Sequence, residues 1–301
     1  MMLVLGATGF LGGHVIRRLR DDSYPIRLFT RGSRDWRHSS VQDLHQKGAE
    51  FVIADALDLE KLALAADGCT AIINMIGSMP PQAGIDFAAQ HVTVAQNILE
   101  VATNKSIQRI IHVSCLSAAE EVDSEYLRTK FEAEEIIKKA KLYWTIFRPS
   151  YLFGDKFPFL DTLMPFIKLP VVMPVLGSGQ QEIQPVHAKD VAECLVSSLY
   201  DKETVNRTFD LAGDRVYTVQ ELMEASRKAL GVAGASMNVP TGSAAKAADV
   251  VKKHLPKVPV HIEMLKLWMT DSTTENNALE EYFKITPIPL NKCFERILGL
   301  H

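Results

Sequence analysis

The sequence predicts an α/β fold: a Rossmann-type doubly wound parallel sheet with a smaller, mostly helical C-terminal substrate lid. Three observations predict it. Short apolar runs alternate with helical patterns through the first half, as in successive βαβ units. A glycine loop joins the first run directly to the first helical pattern. The regular alternation ends after Arg148, where a proline-rich apolar segment begins.

The expected strands are 2–5, 26–30, 50–53, 71–75, 109–114 and 144–148, each a short apolar run bounded by Gly, Pro, Asp or a charged helix end. Between them, residues 12–20, 59–66, 86–102 and 126–140 carry helical periodicity. The last is amphipathic, with Phe131, Ile136 and Ile137 set against Lys and Glu. Further on, a helix is expected over 186–200 and a strand over 207–211. Thr218 with Glu221 forms a capping box that opens a helix towards Leu230. From Asn238 onward the pattern is short helices separated by prolines. The expected division is a Rossmann domain over 1–155, with 182–213 returning to it, and a lid made of 156–181 and 214–301.

Composition narrows the function classes. The chain of 301 residues is 47% hydrophobic and 23% charged, an ordinary globular balance. Its 33 basic and 36 acidic residues give a net charge of −3, which offers no electrostatic footprint for nucleic acid. Cys69, Cys115, Cys194 and Cys293 form no CxxC pair and no Cys/His cluster, so reduced thiols and no metal are expected. The start of the chain shows no basic segment followed by an apolar run of signal length, so a cytoplasmic location is expected. The apolar stretch 157–177 holds four prolines with Asp161 and Lys168, which argues against a spanning helix but allows contact with the inner face of a membrane.

The loop reads Gly6-Ala7-Thr8-Gly9-Phe10-Leu11-Gly12, between strand and helix. Gly6 permits the tight turn, Gly9 lets backbone approach a pyrophosphate, and Gly12 lets helix and strand pack closely. The helix N-terminus then presents N–H groups and the positive end of its dipole to the phosphates. About twenty residues on, at the end of the second strand, an acid would bind the 2′-hydroxyl of NAD. Here stand Arg31 and Arg34, whose guanidinium groups match a 2′-phosphate. NADP(H) is therefore the expected cofactor, with NAD(H) the alternative.

Glycine spacing GxxGxxG together with Tyr126-Leu127-Arg128-Thr129-Lys130, a YxxxK after the fifth strand, resembles the short-chain dehydrogenase/reductase superfamily. Asp55, the run 73–77, His112-Val113-Ser114, Phe147-Arg148-Pro149-Ser150 and Gln184 to Ala192 extend the likeness to the extended and atypical, epimerase-like branch. HVS paired with YLRTK and the later apolar segment is most similar to the group containing the nucleotide-binding accessory subunit of respiratory complex I. The resemblance implies that Gly6, Thr8, Gly9, Phe10, Leu11 and Gly12 contact the pyrophosphate, while Arg31 and Arg34 face the adenosine phosphate. It places Asp55 and Ala56 beside the adenine, Met75, Ile76 and Gly77 along the ribose, and Pro149 and Ser150 near the nicotinamide.

It also implies that Tyr126 is the general acid or base and that Lys130 binds the nicotinamide ribose. A phenol of pKa about 10 is poorly poised at neutral pH, and a cation one helical turn away favours its phenolate. Positions i and i+4 share a helix face, so the spacing delivers both groups to one site. The third catalytic position, a hydroxyl past the fifth strand, falls on Ser114 or Cys115, with Ser117 a little further on. His112 and His187 read as structural.

Apolar walls at 157–167 suit a lipid or quinone-like substrate, or contact with a membrane or respiratory complex. Burial in the lid's own core is the competing reading. The expected function is NADP(H)-dependent oxidoreductase or epimerase-like chemistry on a small carbonyl or alcohol, apolar or a nucleotide sugar. The alternatives are a non-catalytic NADPH-binding accessory or assembly protein of a membrane respiratory complex, and a redox-sensing regulator.

Overall fold

A computed structural model describes residues 1–22, 24–32, 49–79, 84–239, 244–254 and 261–300. In chain order its elements begin with β1 (Met2–Leu5), α1 (Phe10–Asp21), β2 (Ile26–Thr30), β3 (Glu50–Ile53), α2 (Leu59–Ala65) and β4 (Ala71–Asn74). A π-turn at Ala89–Thr93 leads into α3 (Val94–Asn104), followed by β5 (Arg109–Val113), α4 (Glu125–Lys138) and β6 (Tyr143–Pro149). Next come β7 (Leu152–Phe153), α5 (Pro158–Ile167), β8 (Val171–Leu176), β9 (Glu182–Ile183), β10 (Val186–His187) and α6 (Ala188–Ser197). The chain continues with β11 (Arg207–Leu211), β12 (Tyr217–Thr218), α7 (Val219–Ala229) and β13 (Gly234–Val239). It ends in α8 (Ala244–His254), α9 (Ile262–Trp268), α10 (Ala278–Glu281) and α11 (Asn291–Ile297).

Two compact units divide the chain. The first holds residues 1–122, 126–149 and 188–210; the second holds 123–125, 150–187 and 211–301. Residues 150–155, 182–187 and 211–213, expected with the Rossmann domain, cluster with the second unit instead.

In the first unit, the sheet order among the described residues is β11-β6-β5-β4-β1-β2-β3. Strands β3, β2, β1, β4, β5 and β6 pair in parallel. All four residues of β1 are buried, as are all of β4 and β5, because helices cover both faces of a parallel sheet. The order reverses at β1, which pairs with β2 on one side and β4 on the other. That reversal opens a crevice at the carboxyl ends of the strands, the place where doubly wound sheets take ligands. Helix α1 buries Leu11, Val15, Ile16 and Leu19, and its Arg18 holds Glu193 of α6 through Nε at 2.6 Å and Nη2 at 3.1 Å.

The second unit has its own core. Phe157, Phe159, Leu160, Leu163, Phe166 and Ile167 are all buried there, against Leu222 and Met223 of α7 and Trp268 of α9. The Phe166 and Trp268 rings meet edge to face at 5.6 Å. Helix α5 starts on Pro158, a position where its missing N–H costs nothing. The apolar side chains of 157–167 thus build this core, as the competing reading had it. Val171 and Val172 remain exposed. Strand β8 pairs in parallel with β13 over six residues, a pairing the sequence reading missed. The capping box at Thr218 and Glu221 forms as expected. Among the described residues, no helix is long and apolar enough to cross a membrane.

Candidate functional site

The glycine loop turns where β1 ends. Gly6 has φ +77°, and a Cβ there would lie 2.8 Å from the Met75 carbonyl carbon, so the loop lies directly against the end of β4. The Gly9 amide donates to the Gly6 carbonyl at 3.0 Å, closing the turn, and Gly9 opens α1 with no side-chain cap. The first-turn N–H groups of Phe10, Leu11 and Gly12 thus stand at a helix N-terminus without an intrahelical acceptor. At Gly12 a Cβ would lie 2.5 Å from the Ala7 carbonyl oxygen. Thr8 is exposed beside the loop, its Oγ1 3.5 Å from that of Thr30. This cradle suits a pyrophosphate, with backbone donors and a dipole end.

A cavity of about 190 Å³ opens beside the loop, lined by Gly6, Thr8, Arg31, Asp55, Ala56 and Ile76 among others. Arg31 Nη1 lies 3.9 Å from Asp55 Oδ2, and both side chains are partly exposed. Asp55 is itself held, its Oδ1 accepting from the Leu57 amide at 3.0 Å. Asn97 fixes the next turn by donating to the Ala56 carbonyl at 2.9 Å. Arg31 therefore rests loosely on a carboxylate. Arg34 lies outside the described residues.

Deeper in the first unit, Lys130 is 3% exposed. Its Nζ donates to the carbonyls of Val113 at 2.9 Å and Ile76 at 3.3 Å. Among the described residues it makes no ion pair, and burial lowers its pKa. Gly77 leaves the room it occupies, since a Cβ there would lie 2.5 Å from Lys130 Nζ. Tyr126, one helical turn earlier, is half-buried, with its ring edge-on to Phe87 at 5.6 Å and to His91 at 5.2 Å. Met75 continues the sheet, its amide donating to the Leu5 carbonyl at 3.1 Å.

The hydroxyl candidates separate. Ser114 Oγ is buried and has no hydrogen-bond partner among the described residues. Burial pushes the Cys115 thiol up to about 12, so it stays protonated. Ser117 takes a left-handed φ of +68°. Pro149 caps the sheet, its carbonyl accepting from the Leu116 amide at 3.0 Å. Ser150 clusters with the second unit, where its hydroxyl donates to the Ser272 carbonyl at 2.8 Å.

Both His112 and the unanticipated His91 are buried and hydrogen-bonded. Asn74 Oδ1 accepts from the Ile76 amide, which turns its Nδ2 towards His112 Nδ1 at 3.1 Å. Burial, and the nearby Lys130 charge, push His91 down to about 2 and His112 down to about 3. Unfolded histidine titrates near 6.5. Protons therefore favour the unfolded chain below that value: stability is complete above pH 6.5 and falls as pH drops towards the folded values. At pH 5 each histidine is expected to cost about 2 kcal/mol. Urea midpoints at pH 7 and pH 5 test this, and His91→Asn should remove about half of the difference contributed by the pair.

The family model described as NAD(P)H-binding matches residues 6–202. The chain belongs to this NAD(P)H-binding family. It is 30% identical, over 84% of its length, to the mitochondrial NADH-ubiquinone oxidoreductase 40 kDa subunit of Neurospora crassa. Over 73% of its length it is 32% identical to NADH dehydrogenase 1 alpha subcomplex subunit 9 of Arabidopsis thaliana. The chain spans 66% and 56% of these two relatives. Photosystem II assembly factor Ycf39 of Cyanophora paradoxa is 25% identical over 76% of this chain and 68% of its own.

Among solved structures, an NADPH-dependent quinone oxidoreductase from Escherichia coli, complexed with NADPH, superposes with a TM-score of 0.75. Its identity is 19%, over 97% of this chain and 98% of that one. UDP-glucuronic acid 4-epimerase from Bacillus cereus gives 0.71 at 18% identity, over 99% and 98%. These likenesses establish the fold. The chain is thus similar in sequence to the complex I subunits that HVS and YLRTK pointed to, and it shares the fold of the solved oxidoreductase and epimerase.

The sequence reading missed Gln90, His91 and Thr129. The only signal for Gln90 and His91 was polar side chains inside the helical pattern at 86–102, and Thr129 lies inside the YxxxK motif.

Proposed function

We propose that this chain is an NADP(H)-dependent oxidoreductase of the short-chain dehydrogenase type, acting on a small carbonyl or alcohol. The observation that carries this is Lys130. A buried ammonium that makes no ion pair among the described residues, with Glu134 acting on it only from beyond contact, is costly to keep and serves stability poorly. Lys130 sits one turn from Tyr126 and beside Gly77, where it favours the charged form of a phenol.

Residue roles follow from these positions. Gly6, Thr8, Gly9, Phe10, Leu11 and Gly12 hold the pyrophosphate, and Ala56 bounds the adenine. Arg31 turns from Asp55 towards a 2′-phosphate, a stronger charge-assisted partner than a carboxylate 3.9 Å away. Met75, Ile76, Gly77 and Pro149 border the nicotinamide half, which supplies or accepts a hydride when bound. Tyr126 moves the proton to or from the substrate oxygen, and Ser114, whose buried hydroxyl lacks a partner among the described residues, donates to that oxygen.

The test is NADPH oxidation against a panel of quinones, lipid carbonyls and nucleotide sugars. Tyr126→Phe should lower turnover by roughly 10²- to 10⁴-fold with NADPH affinity unchanged. Arg31→Ala should weaken NADPH by roughly tenfold, about one charge-assisted hydrogen bond, and leave NADH unaffected. Equal loss for both cofactors would remove Arg31 from the 2′-phosphate site.

A second reading is favoured by the relatives themselves. Two are named as subunits of NADH dehydrogenase and another as a photosystem assembly factor. On that reading the chain holds NADPH as a structural ligand and works peripherally at a membrane complex. Tight NADPH binding that raises the unfolding temperature, with no oxidation of any substrate, would select it.

A further inference from the structure

The π-turn at Ala89–Thr93 turns two consecutive residues, Gln90 and His91, into the interior, where both are at most 3% exposed. Such turns recur at functional sites because a widened turn re-aims side chains that a regular helix would splay apart. Their hydrogen bonds have a definite direction. The Ser78 carbonyl can only accept, so the Gln90 atom 3.0 Å from it is the amide nitrogen. Ser78 Oγ donates to the other end, Gln90 Oε1, at 2.9 Å. The same Gln90 Nε2 lies 3.1 Å from His91 Nε2, which must therefore accept. The proton of the neutral ring then sits on Nδ1, which donates to Thr129 Oγ1 at 2.8 Å. Thr129 in turn donates to the main-chain carbonyl of Tyr126 at 3.1 Å.

The chain of bonds runs from the loop after β4 to the first turn of α4. It passes through a residue of the cavity wall, since Gln90 lines the cavity beside the glycine loop. Its middle member also touches the Tyr126 ring edge-on at 5.2 Å. The space Gly77 leaves free is bordered by Lys130 Nζ and, at 3.5 Å, by His91 Nε2.

We infer that His91, fixed by Gln90 as the Nδ1–H tautomer, is a positioning residue that sets Tyr126 against Lys130. This rests on the proton-transfer role proposed for Tyr126. The ring neither gains nor loses a proton in turnover; it fixes the first turn of α4 through Thr129 and the phenol through its face.

The experiment uses the full chain. Nitrogen-15 NMR of the histidine rings should show His91 as a neutral Nδ1–H tautomer throughout pH 5–8, and the Nε2–H form would overturn the inference. His91→Phe keeps an aromatic edge and loses both hydrogen bonds, whereas His91→Asn keeps a donor near the Nδ1 position. Turnover in His91→Phe should fall roughly tenfold or more, with the KM for NADPH unchanged. His91→Asn should recover it to within roughly threefold. Equal turnover in wild type and His91→Phe, or equal loss in both variants, would overturn the positioning role. Should Tyr126→Phe itself retain full turnover, the functional reading fails separately. Amide exchange over 126–130 then decides the relay: it should speed up in His91→Phe and not in His91→Asn, and unchanged exchange would overturn it.

Discussion

Gly12→Ala and Gly13→Ala, one residue apart, should change stability in opposite directions. At Gly12 a methyl would meet the Ala7 carbonyl oxygen at 2.5 Å and the Gly6 carbonyl oxygen still closer. Those atoms are backbone of the turn that joins β1 to α1, so they yield only if the loop moves. Overpacking of this kind costs about 1–3 kcal/mol. At Gly13 a methyl meets nothing within 4 Å, and the residue lies inside α1. Alanine there should add about 0.5–1 kcal/mol, because glycine loses more backbone freedom on entering a helix. Urea denaturation of the two variants measures both signs. Destabilisation by both, or by neither, would mean that the close approach of helix and strand is not what Gly12 provides.

The second large effect is at Lys130. Its replacement by Met, of similar length, should leave stability unchanged or raise it by about 2 kcal/mol. The gain comes from no longer holding an ammonium out of water; against it stand the Val113 and Ile76 carbonyls, each of which loses a donor. Turnover should fall by roughly 10²-fold or more, since the variant removes the cation beside Tyr126. Denaturation and NADPH oxidation on the same preparation separate the two roles. A clear loss of stability with turnover intact would make Lys130 a structural residue.

The parts of this fold visible in the sequence are those whose residues answer to local rules. Strands β1, β4 and β5 are buried on both faces and read as strands from apolar runs such as Ile72-Ile73 and Ile110-Ile111. The glycine loop is legible because turn, close packing and helix entry fall at fixed spacing. The Thr218 cap is legible because both partners lie three residues apart.

What stayed hidden depends on neighbours distant in sequence. Arg31 meets Asp55 only because β2 and β3 pair in parallel and end side by side. Strand β13 is mostly exposed and has a single β-branched residue, and its partner β8 contains Pro174, so neither resembles a sheet strand until they pair. Composition alone does not say which way an apolar segment faces, and Phe157 to Ile167 turned inward to form a core. The π-turn at Gln90 and His91 has no signature of its own within a helical pattern.

The most direct test of the account is an NADPH titration by calorimetry on the wild type, Gly12→Ala and Tyr126→Phe. The expected result is saturable one-to-one binding in the wild type, binding abolished or weakened at least tenfold in Gly12→Ala, and wild-type affinity in Tyr126→Phe. No saturable binding in the wild type, or full affinity in Gly12→Ala, would contradict the placement of the cofactor on the glycine loop.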